Sequence, residues 1–127
     1  TQDLIALSSG EAEYYGLVKG SAMGLGTRSL LQDLGVTTGV QVMSDASAAI
    51  GIANRRGLGK VRRINTSYLW IQERVASKDF QLAKVKGTAN PADLLTKHLD
   101  CKAIEQHLGT LGYTPRSGRD SLQLRAD

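Results

Sequence analysis

The apolar residues of this chain repeat with two different periods, and the switches between these periods limit the possible folds more than any other feature of the sequence. Helices are expected over 9–23, 27–34, 46–54, 64–75 and 90–108. A spacing of three to four residues between apolar positions is clearest in 27–34 and 64–75, whereas 46–54 is alanine-rich. Short runs with the composition of strands lie at 3–7, 40–44 and 80–85. The order is strand, two helices, strand, two helices, strand, helix, which predicts an α/β fold.

Local signals set the expected ends of these elements. Two glycines in segment 24–26 interrupt the first helical pattern, so we expect one helix before them and a second helix from Thr27. The last helix follows an Asn-Pro pair at 90–91, which favours a helix start, and we expect a break near Asp100. One predicted stripe faces the core and consists of Ile64, Tyr68, Ile71 and Val75.

The composition fits one soluble domain. The 127 residues are 41% hydrophobic and 22% charged, and no run approaches the ~18 apolar residues of a membrane span. We therefore expect an intracellular protein with no membrane partner. Cys101 is the only cysteine, which excludes an internal disulfide and multi-cysteine zinc sites. We expect the domain to cover residues 1–110 and residues 111–127 to form a flexible tail.

The face of the first helix that carries Glu13 also carries three glycines. Successive helical residues are rotated by about 100°, so Gly16, Gly20 and Gly24 fall on the side of Glu13, whereas Glu11 points nearly the opposite way. An interior glycine costs a helix about 1 kcal/mol relative to alanine, which suggests a face held close to another backbone. We therefore predict that Glu13 faces inward. The alternative is that both acidic residues only complement the helix dipole.

Two further carboxylates lie at expected ends of secondary structure. Asp45 would project into a cleft at the carboxyl end of its strand, or it could cap the next helix, which Ser44 and Ser47 can cap as well. Asp93 lies where the dipole of the last helix alone favours an acidic residue. If Glu13, Asp45 and Asp93 converge, they offer the oxygen ligands that a pair of Mg²⁺ ions requires for phosphodiester hydrolysis. The residues thus indicate a metal-dependent phosphodiesterase.

A cluster of basic residues surrounds two glycines after the alanine-rich helix. Its members are Arg55, Arg56, Lys60, Arg62 and Arg63. A basic loop of this kind can follow a phosphate backbone, or it can be a solvated connector, and the residues leave both possibilities open. The net charge of the chain is only +4, so the placement of these cations is more informative than the total.

Three segments together resemble the ribonuclease H domain at the end of copia-type LTR retrotransposon Pol polyproteins. The segments are 6–14 (ALSSGEAEY), 44–49 (SDASAA) and 84–97, in which KVKG leads to NPADLLTK. The resemblance covers residues 3–100. It implies a ribonuclease H-like α/β fold, in which helices flank a mixed sheet.

The resemblance also implies a site and a reaction. Glu13, Asp45 and Asp93 correspond to the second, third and fourth acidic metal ligands of the family. The implied reaction is hydrolysis of the RNA strand of an RNA–DNA hybrid by two Mg²⁺ or Mn²⁺ ions during reverse transcription. The five basic residues would then track the backbone of the hybrid without reading its sequence. The rest of the Pol polyprotein, including the reverse transcriptase, is the implied protein partner.

The chain departs from this family at two points. The first acidic ligand of the family lies on the first strand of its sheet, and this chain starts at Thr1, downstream of that strand and the next. We therefore expect a fold truncated at the N-terminus, without the first two strands, and little or no activity of the chain by itself. Arg63 stands where relatives usually have histidine, and the residues do not indicate what this difference changes in substrate handling. The alternative function is a non-catalytic nucleic-acid-binding or scaffolding remnant of a retroelement.

Overall fold

The computed structural model describes residues 9–59, 64 and 66–118. Its helices are α1 (Ser9–Asp33), α2 (Ser47–Ala53), α3 (Trp70–Ala76), α4 (Asp93–Thr96) and α5 (Cys101–Thr110), and its strands are β1 (Gln41–Ser44) and β2 (Gln81–Lys84). Short 3₁₀ turns at Thr66–Tyr68 and Gly87–Ala89 precede α3 and α4. The strand predicted over 3–7 lies outside the described residues.

The two described strands form a parallel sheet, in which Gln41 pairs with Gln81 and Ser44 with Lys84. The ladder continues past the strand ends, because the Val85 N–H donates to the Ser44 carbonyl at 3.0 Å. Parallel neighbours need a long crossover, and α2 and α3 belong to it. The predicted α/β fold is therefore confirmed as a helix-rich α/β fold with a small parallel sheet. The mixed sheet and the ribonuclease H-like topology stay predictions.

α1 is one continuous helix of 25 residues, so the predicted break at 24–26 is wrong. The Thr27 hydroxyl donates to the Met23 carbonyl at 2.9 Å, one turn back, and does not cap a second helix. Gly24 lies at a close approach, since a Cβ added there would be 3.0 Å from Val40 Cγ1. α1 also packs against α2 and β1. These tertiary contacts outweigh a propensity loss of about 1 kcal/mol per glycine.

The described residues divide into two compact units. The first unit ends at Gly87 and contains α1, α2, α3 and the sheet. Its buried apolar core consists of Tyr14, Leu17, Val18, Ala49, Ile52, Ala53, Ile64, Ile71 and Phe80. Tyr68 and Val75 pack against this core, so the predicted burial of the stripe from Ile64 to Val75 is confirmed. The predicted helix start at Ile64 is wrong, because the α-helix begins at Trp70, after a 3₁₀ turn. No helix within the described ranges is long and apolar enough to cross a membrane.

The second unit begins at Thr88 and contains α4 and α5. Asp100 caps α5, because its Oδ1 accepts a hydrogen bond from the Ala103 N–H at 2.8 Å. The predicted helix break near Asp100 is thereby confirmed. α5 ends at Thr110, and residues 119–127 lie outside the described part of the chain. The proposed division into a domain over 1–110 and a tail over 111–127 stays a prediction.

Three helices end in the same backbone motif, in which the residue after the cap adopts a left-handed conformation. At the end of α3 the motif consists of two hydrogen bonds, from Lys78 N–H to the Val75 carbonyl at 3.1 Å and from Asp79 N–H to the Arg74 carbonyl at 3.0 Å. Gly35 (φ 84°) and Gly112 (φ 80°) hold the left-handed position after α1 and α5, whereas Lys78 (φ 57°) holds it after α3. Lysine carries a Cβ, so this position is strained in α3 alone among the three.

Asp79 joins the end of α3 to α1. Its two carboxylate oxygens accept hydrogen bonds from Arg28 and from Arg74, each at 2.8 Å, and Arg28 also donates to the Asp79 carbonyl at 2.6 Å. The hydrogen bond from Arg28 is the largest influence that lowers the pKa of Asp79. This pairing fixes the chain just before β2 against the C-terminal half of α1.

Candidate active site

α1 lies antiparallel to β1, which brings the start of α1 to the carboxyl end of the sheet. Next to the start of β1, a Cβ on Gly24 would lie 3.0 Å from Val40 Cγ1, and past the end of β1, a Cβ on Gly10 would lie 3.4 Å from Ala48 Cβ. Ligands of α/β sheets bind at the carboxyl ends of the strands. This end of the first unit is therefore the candidate site.

Asp45 lies at this end, directly after β1, and its side chain is exposed. It is close to Gly87, where an added Cβ would lie 3.6 Å from Asp45 Oδ2. Asp45 does not cap α2, because Ala46 is the N-cap residue and no side chain caps it. The Ser44 hydroxyl accepts the Ala46 N–H at 3.1 Å instead. The Asp45 carboxylate has no hydrogen bond or ion pair within the described part of the chain, so its oxygens can accept a ligand.

Glu13 is exposed and Glu11 is buried, so the prediction that Glu13 faces the interior is wrong. The glycine face is open beside Glu13, because a Cβ on Gly16 or Gly20 would have no atom within 4 Å. It meets Val40 at Gly24, near the other end of the helix. The rotation of α1 is set instead by the side chains that gain most from burial, above all Tyr14, which is 0% exposed. Glu13 therefore points into solvent near the start of α1, toward the same end of the first unit as Asp45.

Tyr14 anchors the start of α1 to the chain before α3. Its hydroxyl donates to the Tyr68 carbonyl at 2.8 Å, and the ring of Tyr15 lies 4.9 Å from that of Tyr68, tilted by 59°. Burial raises the pKa of Tyr14 to about 12, although the positive charge of Arg55 acts in the opposite direction. The neutral tyrosine thus holds the helix that carries Glu13.

Asp93 belongs to the second unit and is buried, with 7% of its surface exposed. It begins α4, and the Lys97 ammonium lies 3.0 Å from its Oδ1 and 3.1 Å from its Oδ2. This i,i+4 pair neutralises the carboxylate locally. The i,i+4 spacing of Asp93 and Lys97 can be read from the sequence, although only Asp93 was predicted to have a role.

The described residues by themselves do not form a two-metal centre. No group of three or more His, Cys, Asp and Glu side chains in 9–59, 64 and 66–118 is arranged to hold a metal ion. Glu13 and Asp45 supply the hard oxygen donors that Mg²⁺ and Mn²⁺ prefer. Two carboxylates do not complete a site for two ions, so further oxygen ligands are required.

The predicted basic cluster is only partly described. Lys60, Arg62 and Arg63 lie outside the described residues. Arg55 is half-buried, and its guanidinium donates to the Leu58 carbonyl, three residues on in the same loop. Arg56 is exposed and borders an open groove of about 870 Å³, together with Trp70 and Glu73. The two adjacent arginines therefore have different surroundings.

Gln72 holds this loop in place, and sequence analysis gave it no role. Its side-chain amide donates to the Ile52 carbonyl at 2.8 Å and to the Gly57 carbonyl at 3.0 Å, and its Oε1 accepts the Gly57 N–H at 2.8 Å. Gln72 is only 7% exposed. The burial of Gln72 can be inferred from the sequence, because position 72 lies four residues after Tyr68 and so falls on the face predicted to be buried. A polar residue on such a face needs hydrogen-bond partners.

The sequence is similar to a retrotransposon Pol polyprotein. The relative is the "Retrovirus-related Pol polyprotein from transposon TNT 1-94" of Nicotiana tabacum, which is 32% identical over 98 residues. The aligned part is 76% of this chain and 7% of the relative, so the chain spans a small fraction of that polyprotein. This similarity to a copia-type Pol polyprotein supports a retroelement origin for the chain.

No family model matches the chain. No solved structure matches it either.

Proposed function

We propose that this chain is part of a ribonuclease H-like domain of a retrotransposon Pol polyprotein, and that the complete domain hydrolyses the RNA strand of RNA–DNA hybrids with two Mg²⁺ or Mn²⁺ ions. Glu13, Asp45 and Asp93 are the proposed metal ligands. The proposed partners are the hybrid and the rest of the polyprotein, including its reverse transcriptase, in an intracellular compartment. Glu13, Asp45 and Asp93 are three of the four acidic ligands that the resemblance implies, so we expect little or no cleavage by these 127 residues alone.

The observation that carries this proposal is the position of Asp45. It offers an exposed carboxylate at the carboxyl end of two parallel strands, beside Gly87. Side chains at this end of an α/β sheet face the region where ligands bind. Glu13 points into solvent toward the same end of the first unit. The similarity to a Pol polyprotein supports the retroelement context.

For Asp93 to bind a metal ion, its ion pair with Lys97 has to change. Both of its oxygens lie about 3 Å from the Lys97 ammonium, so a metal ion bound there has to replace or share that cation. A Lys97→Gln variant of the complete domain should therefore bind Mn²⁺ at least as tightly as the unaltered domain. Weaker Mn²⁺ binding in that variant would contradict the role of Asp93 as a ligand.

The test of the proposal is cleavage of a labelled RNA–DNA hybrid in the presence of Mg²⁺. It compares the 127-residue chain with the same chain preceded by the natural upstream residues of its polyprotein. We expect cleavage by the longer chain and a loss of more than ~100-fold in its Asp45→Asn variant, since even the loss of an outer-shell partner costs 10–100-fold. Cleavage by the 127 residues alone that depends on Asp45 would contradict the need for a further ligand.

The matched control is Asp33→Asn, which removes the same charge from the other end of α1. Asp33 is exposed and lies about 30 Å along the helix from Glu13 at 1.5 Å per residue. This variant should cleave at the unaltered rate. Equal losses in both variants would show that total charge matters rather than a site at Asp45.

A second candidate is a nucleic-acid-binding remnant without catalysis. It is favoured by the lack of a three-ligand group in the described residues and by the ion pair that occupies Asp93. The longer chain would then bind the hybrid and leave it intact. Asp45→Asn would leave that binding unchanged or tighter, because it removes a negative charge that repels phosphate.

A further inference from the structure

Residues 54–59, the described start of the loop after α2, are held by a buried glutamine. Gln72 bonds both the N–H and the carbonyl of Gly57, at 2.8 and 3.0 Å, as a neighbouring strand would. Its third bond, to the Ile52 carbonyl at 2.8 Å, joins the loop to α2. Gly57 has φ 73°, a conformation that favours glycine. The backbone around Gly57 is therefore fixed.

Arg55 packs inside the same described stretch, against Leu58 and Gly59. Its guanidinium donates to the Leu58 carbonyl, and its Nε is buried without a hydrogen-bond partner in the described part of the chain. It also fills the space beside Gly59, where a Cβ would lie 2.8 Å from Arg55 Cζ. A side chain packed in this way has little freedom to reach an external phosphate.

Arg56 is the opposite case. It is exposed, and its guanidinium has no hydrogen bond or ion pair with the residues the structure describes. Because Gln72 fixes the next residue, Gly57, the backbone that presents Arg56 is ordered before any ligand arrives. A side chain on an ordered backbone loses less conformational entropy on binding than one on a flexible loop.

We infer that these adjacent arginines have different roles: Arg56 contacts a backbone phosphate of the nucleic acid, whereas Arg55 is a positioning residue that shapes the loop from inside. This inference rests on the proposed function, because it takes the RNA–DNA hybrid as the ligand. It also corrects the expectation that all residues of the basic cluster track the backbone in the same way.

The test measures binding of a non-cleavable RNA–DNA hybrid between 50 and 200 mM KCl. One phosphate contact contributes about 0.9 to the slope of log affinity against log salt concentration. Across this fourfold change in salt, the affinity of Arg56→Gln for the hybrid should therefore fall about 3.5-fold less than the affinity of the unaltered chain. Arg55→Gln should keep the unaltered slope and bind more weakly at every salt concentration. Lys19→Gln, which removes an exposed charge from α1, is the control and should change neither quantity.

Hydrogen exchange at the Gly57 amide gives a readout that does not depend on the ligand. The Gly57 amide exchanges only when local opening breaks its hydrogen bond to Gln72. We therefore expect exchange at least about tenfold faster in Arg55→Gln and in a Gln72→Leu variant. Exchange in Arg56→Gln should be unchanged. The inference is overturned if Arg55→Gln lowers the salt slope as Arg56→Gln does while Gly57 exchange stays slow. An unaltered slope in Arg56→Gln also overturns it.

The failure of the proposed function has a different signature. If the unaltered chain shows no salt-dependent affinity for the hybrid, the proposed ligand is wrong, and the role of Arg56 fails with it. If the hybrid binds with a normal slope in every variant, only the assignment of the two arginines is wrong. Far-UV circular dichroism of Arg55→Gln separates a local change in the loop from loss of the fold.

Discussion

Replacing Gly16 and Gly20 by alanine should stabilise this chain, although the sequence alone suggested that the same change would disrupt a close contact. Both residues are inside α1, and a Cβ added to either would meet no atom within 4 Å. Alanine therefore contributes its helix propensity without a steric penalty, about 1 kcal/mol per position. The double variant should gain about 2 kcal/mol in free energy of unfolding.

Urea denaturation followed by circular dichroism measures this gain. With an m value of about 2 kcal/mol/M, the midpoint should rise by about 1 M and the slope should stay constant. The control is Gly24→Ala in the same helix, where the new Cβ would lie only 3.0 Å from Val40 Cγ1. Overpacking costs about 1–3 kcal/mol, so this variant should show no gain or a lower midpoint.

A fall in the urea midpoint of the Gly16 and Gly20 variant would refute this reasoning. It would mean that the face of α1 with Glu13 is covered in solution, as the sequence analysis first assumed. A gain at Gly24 equal to that at Gly16 would refute the close approach of α1 to β1. Either result would change the orientation of α1 on which the candidate site depends.

Two further predictions concern stability. Lys78→Gly should raise the free energy of unfolding by about 0.5–1 kcal/mol in thermal melts, because it removes a Cβ from a left-handed position. Gly35 and Gly112 fill the same position after α1 and α5. Lys78→Ala should give no gain, and an equal gain in that variant would exclude backbone strain as the cause. Tyr14→Phe should lose about 1 kcal/mol, because its bond to the Tyr68 carbonyl disappears. Since the pKa of Tyr14 is raised from 10.0 to about 12, its neutral form stabilises the fold fully below pH 10, and that contribution is lost as pH rises toward 12. Denaturation across this range should therefore show a shallower decline in the phenylalanine variant than in the unaltered chain, and parallel declines would contradict the burial of the hydroxyl.

Glu13 is exposed although it shares its helix face with three glycines. Each of these glycines changes the helix propensity by only about 1 kcal/mol. In the structure the position of Tyr14 decides the rotation, because a fully buried aromatic ring contributes about 1.5–3 kcal/mol and its hydroxyl also requires a partner. Leu17 and Val18 are buried on the same side. Glu11 is carried inward with them, and Glu13 outward.

The ion pair of Asp93 and the hydrogen bonds of Gln72 differ in how far the sequence could reveal them. Asp93 and Lys97 are four residues apart, a spacing that allows an ion pair on any helix, so the pair was accessible from the sequence. The bonds from Gln72 to Ile52 and Gly57 join residues 20 and 15 positions apart. No local rule predicts such partners, because they depend on how α2 and α3 pack.

The sequence by itself determined the α/β character, the buried stripe from Ile64 to Val75, the helix break near Asp100 and the position of Asp45 at the end of a strand. These features follow from periodicity and from capping chemistry, which act over a few residues. Only the tertiary structure decided that α1 continues through Gly24, which of its acidic residues is buried, and that Arg55 and Arg56 have different surroundings. Each of these outcomes depends on contacts between distant segments, whose energies exceed the differences of about 1 kcal/mol in local propensity.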